Sequence, residues 1–176
     1  AMESLRDHDG PVLILYGDTP LLRLQTLARL LGMFDDNKAP LALLTTVVVD
    51  ASGYGRIVRD GSGSICGIVE DKDATADERM IKEINPGIYV AAADFLRGSL
   101  PKLSNRNAQR ELYLTDLVAM AAAQSSIPLP HLCTPPEETE GVNDRVQLAK
   151  AGRNLRRRLL DEHMRNGVSI EDPNTT

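Results

Sequence analysis

Two apolar runs with β-branched residues, Val12–Tyr16 and Leu41–Val49, flank a stretch in which Leu21, Leu24, Leu27, Leu30 and Leu31 recur at helical spacing. Continuous runs of this kind predict strands buried on both faces. The order strand, helix, strand predicts parallel pairing with a right-handed crossover, hence an α/β fold. Thr19 stands where it can cap the intervening helix, with Pro20 at its first position.

The first run ends in Tyr16-Gly17-Asp18-Thr19. Open α/β sheets bind ligands at the carboxyl ends of their strands, so Asp18 is delivered to the functional edge. A carboxylate there suits Mg²⁺, which takes oxygen ligands and shares them with phosphates. The alternative is that Asp18 only caps the next helix.

After Asp50 the texture changes to short strands punctuated by glycine. Arg56–Arg59 and Ile65–Val69 flank Asp60-Gly61-Ser62-Gly63, whose Asp-Gly pair predicts a hairpin rather than a phosphate loop. Ser52-Gly53-Tyr54-Gly55-Arg56 suits either a tight turn or a close backbone approach to a ligand. Glu70 closes a strand, and its two oxygens suit sugar hydroxyls, although Asp71, Lys72 and Asp73 also fit a solvated charge cluster. Asn85, before Pro86-Gly87 in the extended segment Ile84–Ala91, can shape a turn or bind a ligand. Thr115 caps a predicted helix over Asp116–Gln124, and Asn143 caps one of about 23 residues ending at Gly167.

At 176 residues, 42% hydrophobic and 26% charged, the chain suits one globular unit. A net charge of −5 argues against nucleic-acid binding, despite the run Arg156–Arg158. No apolar stretch reaches the roughly 20 residues of a membrane span, and the charged start is no signal peptide, which fits a cytoplasmic protein. Cys66 and Cys133 have no metal spacing, and His8, His131 and His163 form neither a zinc motif nor a triad.

The segments Leu15–Leu21, Gly53–Ile57, Gly67–Ala74, Glu83–Asn85, Asn107–Gln109, Tyr113–Asp116 and Glu140–Arg145 occur in the order of one family, covering about Pro11 to Pro173. They resemble the uridylyltransferase half of the bacterial bifunctional N-acetylglucosamine-1-phosphate uridylyltransferase/glucosamine-1-phosphate acetyltransferases. The resemblance implies a Rossmann-like nucleotide-diphospho-sugar transferase fold, with a mixed, mostly parallel sheet and flanking helices. It implies transfer of a uridylyl group from UTP to N-acetylglucosamine 1-phosphate, giving UDP-N-acetylglucosamine and pyrophosphate, with Mg²⁺ as cofactor. Asp18 and Asn143 match the metal ligands of that family, Asp18 being the catalytic one. Tyr16, Gly17, Gly55, Glu70, Asn85, Tyr113, Thr115 and Asn143 match substrate-binding positions. The implied layout is a partial transferase domain over 1–143, a linking helix over 144–167 and, from 168, the start of a left-handed β-helix, the part that makes similar proteins homotrimers.

The departures from the pattern are specific. No counterpart of the family's glycine-rich nucleotide loop precedes Asp18, so the first strand–helix unit is expected to be missing and apolar surface to be exposed near Val12–Tyr16 and Leu41–Val49. Pro86 stands for a usual threonine, Arg110 for a glycine and Leu112 for a tyrosine. The alternatives are a nucleotidyltransferase for another hexose phosphate, or a non-catalytic module that binds sugar nucleotides or serves assembly.

Overall fold

In the computed structural model, which describes residues 3, 5–124 and 127–176, one mixed sheet is covered by helices on both faces. The elements are β1 (Pro11–Ile14), α1 (Leu24–Asn37), β2 (Leu41–Val47), β3 (Gly55–Arg59), β4 (Ile65–Val69), α2 (Ala76–Arg79), β5 (Glu83–Asn85), β6 (Tyr89–Ala92), α3 (Ala93–Ser99), α4 (Asp116–Ala123), β7 (Leu129–Leu132) and α5 (Arg145–Arg165). The strand order is β1-β6-β2-β5-β3-β4, with β7 parallel to the other side of β2.

β2 explains why the sheet is central. Leu41 and Leu43 point to one face, against Phe95, Leu117 and Val118, while Ala42 and Leu44 point to the other, against Leu30 and Phe34 of α1. Leu41 to Leu44 are fully buried, which a strand without alternation requires. Each such leucine contributes about 1.5–3 kcal/mol.

Four expectations are corrected here. β1 and β2 run parallel but do not pair, because β6 lies between them and is antiparallel to both. The pairings of the sheet are antiparallel except β2 with β7, so the mixed sheet is present but is not mostly parallel among the described residues. α1 starts after Arg23 rather than Thr19, whose hydroxyl instead donates to Tyr16 O at 3.2 Å and closes a turn. The last helix is capped by Asp144, whose carboxylate accepts from Gln147 N at 2.7 Å; Asn143 lies just outside, its own N–H donating to Gln147 Oε1. A cap contact thus leaves the Asn143 amide free of the role predicted for it.

Apolar exposure is split. β2 is covered, contrary to expectation, and only Val47 and Val49 beyond its core are open, whereas Leu13, Leu15 and Tyr16 on and after β1 are half-exposed as expected. The segment Ile84–Ala91 is two strands rather than one, interrupted by Pro86 and by Gly87 at φ +81°. The predicted hairpin is β3–β4, its turn held by the Asp60 carboxylate accepting from Ser62 N and Ser64 N. No helix among the described residues is long and apolar enough to cross a membrane.

Candidate functional site

The chain leaves β1 at Ile14 and exposes Asp18 in the turn that follows. Asp18 O accepts from Val142 N at 2.8 Å, which ties this turn to the segment before α5. Gly141 is the pivot: a Cβ placed there would lie 3.4 Å from Asp18 Oδ2 and 3.8 Å from Asn143 Nδ2. A carboxylate and a carboxamide from opposite ends of the sequence therefore converge on one small space. Both are exposed, and among the described residues neither side chain is committed to a hydrogen bond.

A second group sits on the sheet. Gly55 opens β3 and pairs with Asn85 of β5; a Cβ on it would come 2.7 Å from Ile68 Cγ2 and 3.5 Å from Glu70 Oε2. Glycine is required here by the Ile68 side chain, into which a Cβ would run, while the Glu70 carboxylate lies at ordinary contact distance. Glu70 Oε1 in turn accepts from the buried Thr115 hydroxyl at 2.9 Å. The Asn85 amide is buried, accepting from Gly87 N at 3.0 Å and donating to Tyr89 Oη at 2.6 Å.

Tyr16 joins the two groups. Its ring lies over Gly87, where an added Cβ would meet Cε2 at 2.0 Å. Burial raises its phenol above the usual 10.0, helped by the carboxylates of Glu70 and of Asp18, so it senses both ends of the site. Gly17 follows it, exposed in the turn.

Tyr113 is held by the loop before it. Asn107 clamps Glu111 through both its amide atoms, and Ala108 N donates to Asp73 Oδ1 at 2.9 Å. Arg110 takes φ +57°, a left-handed conformation that favours glycine. The enclosed Tyr113 hydroxyl lacks a well-formed hydrogen bond, and its pKa is raised, by burial first and then by Asp73 and Glu70 against the pull of Gln109. Leu112 beside it is exposed.

All nine predicted positions thus lie in two adjoining groups. Gly141, Gly87 and Tyr89 were missed. Gly87 is announced by its Pro-Gly pair, and Gly141 by its place two residues before Asn143; nothing local marks Tyr89. The buried Arg56, paired with Asp71 at 2.8 Å, braces the turn before Gly55, and the Asp71 carboxyl is held low by the Gly53 N–H and then by Arg56. Among the described residues no three of His, Cys, Asp and Glu cluster as a metal site.

The same architecture is found in a putative glucose-1-phosphate thymidylyltransferase from Bacillus anthracis (TM-score 0.57, 12% identity, 98% of this chain and 60% of that one). It recurs in a CMP:2-keto-3-deoxy-manno-octonic acid synthetase (TM-score 0.57, 18% identity, 88% and 65%). At such identities the likeness speaks for the fold alone: a nucleotide-sugar transferase fold of mixed sheet and flanking helices. No family model matches the chain. Over 174 residues it is 53% identical to the bifunctional protein GlmU of Anaeromyxobacter sp., covering 98% of this chain and 35% of the relative. With GlmU of Geobacter sulfurreducens the identity is 46% over 176 residues, 100% of the chain and 37% of the relative. The chain is a homologue of the GlmU proteins over about a third of their length.

Proposed function

We propose that this chain carries the sugar-binding and metal-binding part of a nucleotidyltransferase that joins UTP to N-acetylglucosamine 1-phosphate. The observation that carries the reading is the meeting of Asp18 and Asn143 at Gly141, beside the group formed by Gly55, Glu70, Asn85 and Thr115. Homology to GlmU over the whole chain supports the choice of substrates.

The donor set suits Mg²⁺: one carboxylate and one carboxamide leave most of an octahedron to phosphate oxygens and water. When bound, the ion neutralises charge on the reacting phosphates. The rest is positioning. Glu70, with Thr115 fixing one oxygen, accepts from sugar hydroxyls with the other; the Asn85 amide and the main chain at Gly55 complete the sugar side, and Tyr16 closes it. A phosphate oxygen of the sugar attacks the α-phosphorus of UTP, that P–O bond forms, and pyrophosphate leaves with the electrons of the bond it loses. The attacking oxygen is already ionised, so no protein nucleophile or histidine base is needed.

Calorimetric titration with UDP-N-acetylglucosamine tests the reading. Mg²⁺ should tighten binding to the chain, and Asp18→Asn should erase that gain, on the order of 100-fold, with melting unchanged. Equal affinity with and without Mg²⁺ for the unmodified chain would remove the metal from the proposal, and no binding at all would remove the function.

A further inference from the structure

We propose that Tyr89 is a positioning residue whose buried hydroxyl, 2.6 Å from Asn85 Nδ2, sets the orientation in which the Asn85 amide meets the sugar of a bound sugar nucleotide. The proposal rests on the sugar-side role given to Asn85 above.

A carboxamide has two near-isosteric orientations that differ by exchange of its oxygen and nitrogen, and only one presents the right atoms to a ligand. At Asn85 two groups select between them. Gly87 N donates to Oδ1 at 3.0 Å, and Tyr89 Oη receives one Nδ2 proton. One N–H and one lone pair remain for a ligand. The surroundings make this selection rigid. Tyr89 opens β6, pairs with Ile14 of β1 and Leu43 of β2, and is 1% exposed, so its ring cannot swing to follow the amide. Pro86 has no N–H to offer, which leaves Gly87 N as the backbone donor nearest along the chain. Removing the phenol oxygen therefore leaves one contact where two defined the orientation. The Tyr89 ring also belongs to the core packed on Leu117 and Val118, so a phenylalanine there keeps the packing and loses the oxygen alone.

Tyr89→Phe separates positioning from stability. With ¹⁵N-labelled chain and no ligand, the two Asn85 side-chain amide protons should be well separated and one slow to exchange in the unmodified protein; in Tyr89→Phe they should draw together and exchange at least ten times faster. Affinity for UDP-N-acetylglucosamine should fall about 3- to 10-fold, a single hydrogen bond's range. In an Asn85→Ala background, Tyr89→Phe should cost no further affinity, because its action runs through Asn85. Unaltered Asn85 amide signals in Tyr89→Phe would overturn the proposal, as would a full additive loss in the double variant. If the unmodified chain binds no sugar nucleotide, the functional reading of the site fails, and the ligand-free amide signals still decide whether Tyr89 orients Asn85.

Discussion

The two ends of the site are built on different principles. At the end proposed for the sugar, Gly55, Asn85 and Thr115 are buried, stand on or beside strands and a helix start, and are held by ladder pairing and by side-chain bonds to Tyr89 and Glu70. At the end proposed for the metal, Asp18 and Asn143 are exposed and are held through their own main-chain atoms, Asp18 O by Val142 N and Asn143 N by the Gln147 side chain beside the Asp144 cap. The first is an extension of the core and carries stability with it. The second is a hinge of two loops, where a bound cation would supply what packing does not.

Substitutions at the sugar end should therefore register in folding as well as in binding. Gly87→Ala adds a Cβ 2.0 Å from the Tyr16 ring at a backbone φ of +81°, and should cost about 3 kcal/mol or more in urea unfolding. A cost under 1 kcal/mol would mean that Tyr16 is free to leave Gly87, and the link between the two ends would be lost. Thr115→Val removes the hydroxyl that binds Glu70 Oε1, for a loss of about 1 kcal/mol in stability and roughly 5-fold in sugar-nucleotide affinity. Loss of affinity alone would place Thr115 with the metal end in kind. Arg110→Gly relieves a left-handed residue in the loop before Tyr113; set against glycine's larger unfolded entropy, a net gain of roughly 0.5 kcal/mol is expected by thermal melting.

The smallest effect is a titration. Tyr16 has its pKa raised, so the contribution of its neutral phenol is complete below about pH 10 and is lost as pH rises through the higher folded value. Phenolate absorbance should report a midpoint above 10.0, and Asp18→Asn should bring it part of the way back, since burial outranks either carboxylate. No movement on removing Asp18 would separate Tyr16 from the metal end.

Local chemistry was legible in the sequence, and long-range pairing was not. The Asp60-Gly61 hairpin, the buried run of β2 and the helix after Thr115 follow from turn residues and periodicity, which act over a few positions, although the Thr115 hydroxyl caps nothing and goes to Glu70. β6 between β1 and β2 could not be seen, because nothing near Val12 or Leu41 encodes a strand that arrives only at Tyr89. The starts of α1 and α5 were displaced for a different reason. Thr19 and Asn143 are good cap types, but the one spends its hydroxyl on Tyr16 O and the other is outranked by Asp144. The approach of Asp18 to Asn143 at Gly141 runs through one backbone bond, Val142 N to Asp18 O, which has no pattern of its own in the sequence. The family resemblance supplied that pair where residue-by-residue reasoning stopped at a cap or a ligand.

Among the described residues β1 is hydrogen-bonded to β6 on one side only, and it is the strand that leads into Asp18. Its other side presents a row of backbone donors and acceptors beside Leu13 and Leu15, a template that any extended segment can complete. The carboxylate in the turn after that strand is therefore carried by an edge of the sheet. A segment that pairs with β1 would act as a tuner of Asp18, setting the height of the carboxylate against Gly141 from the far side of the strand, without touching any ligand itself.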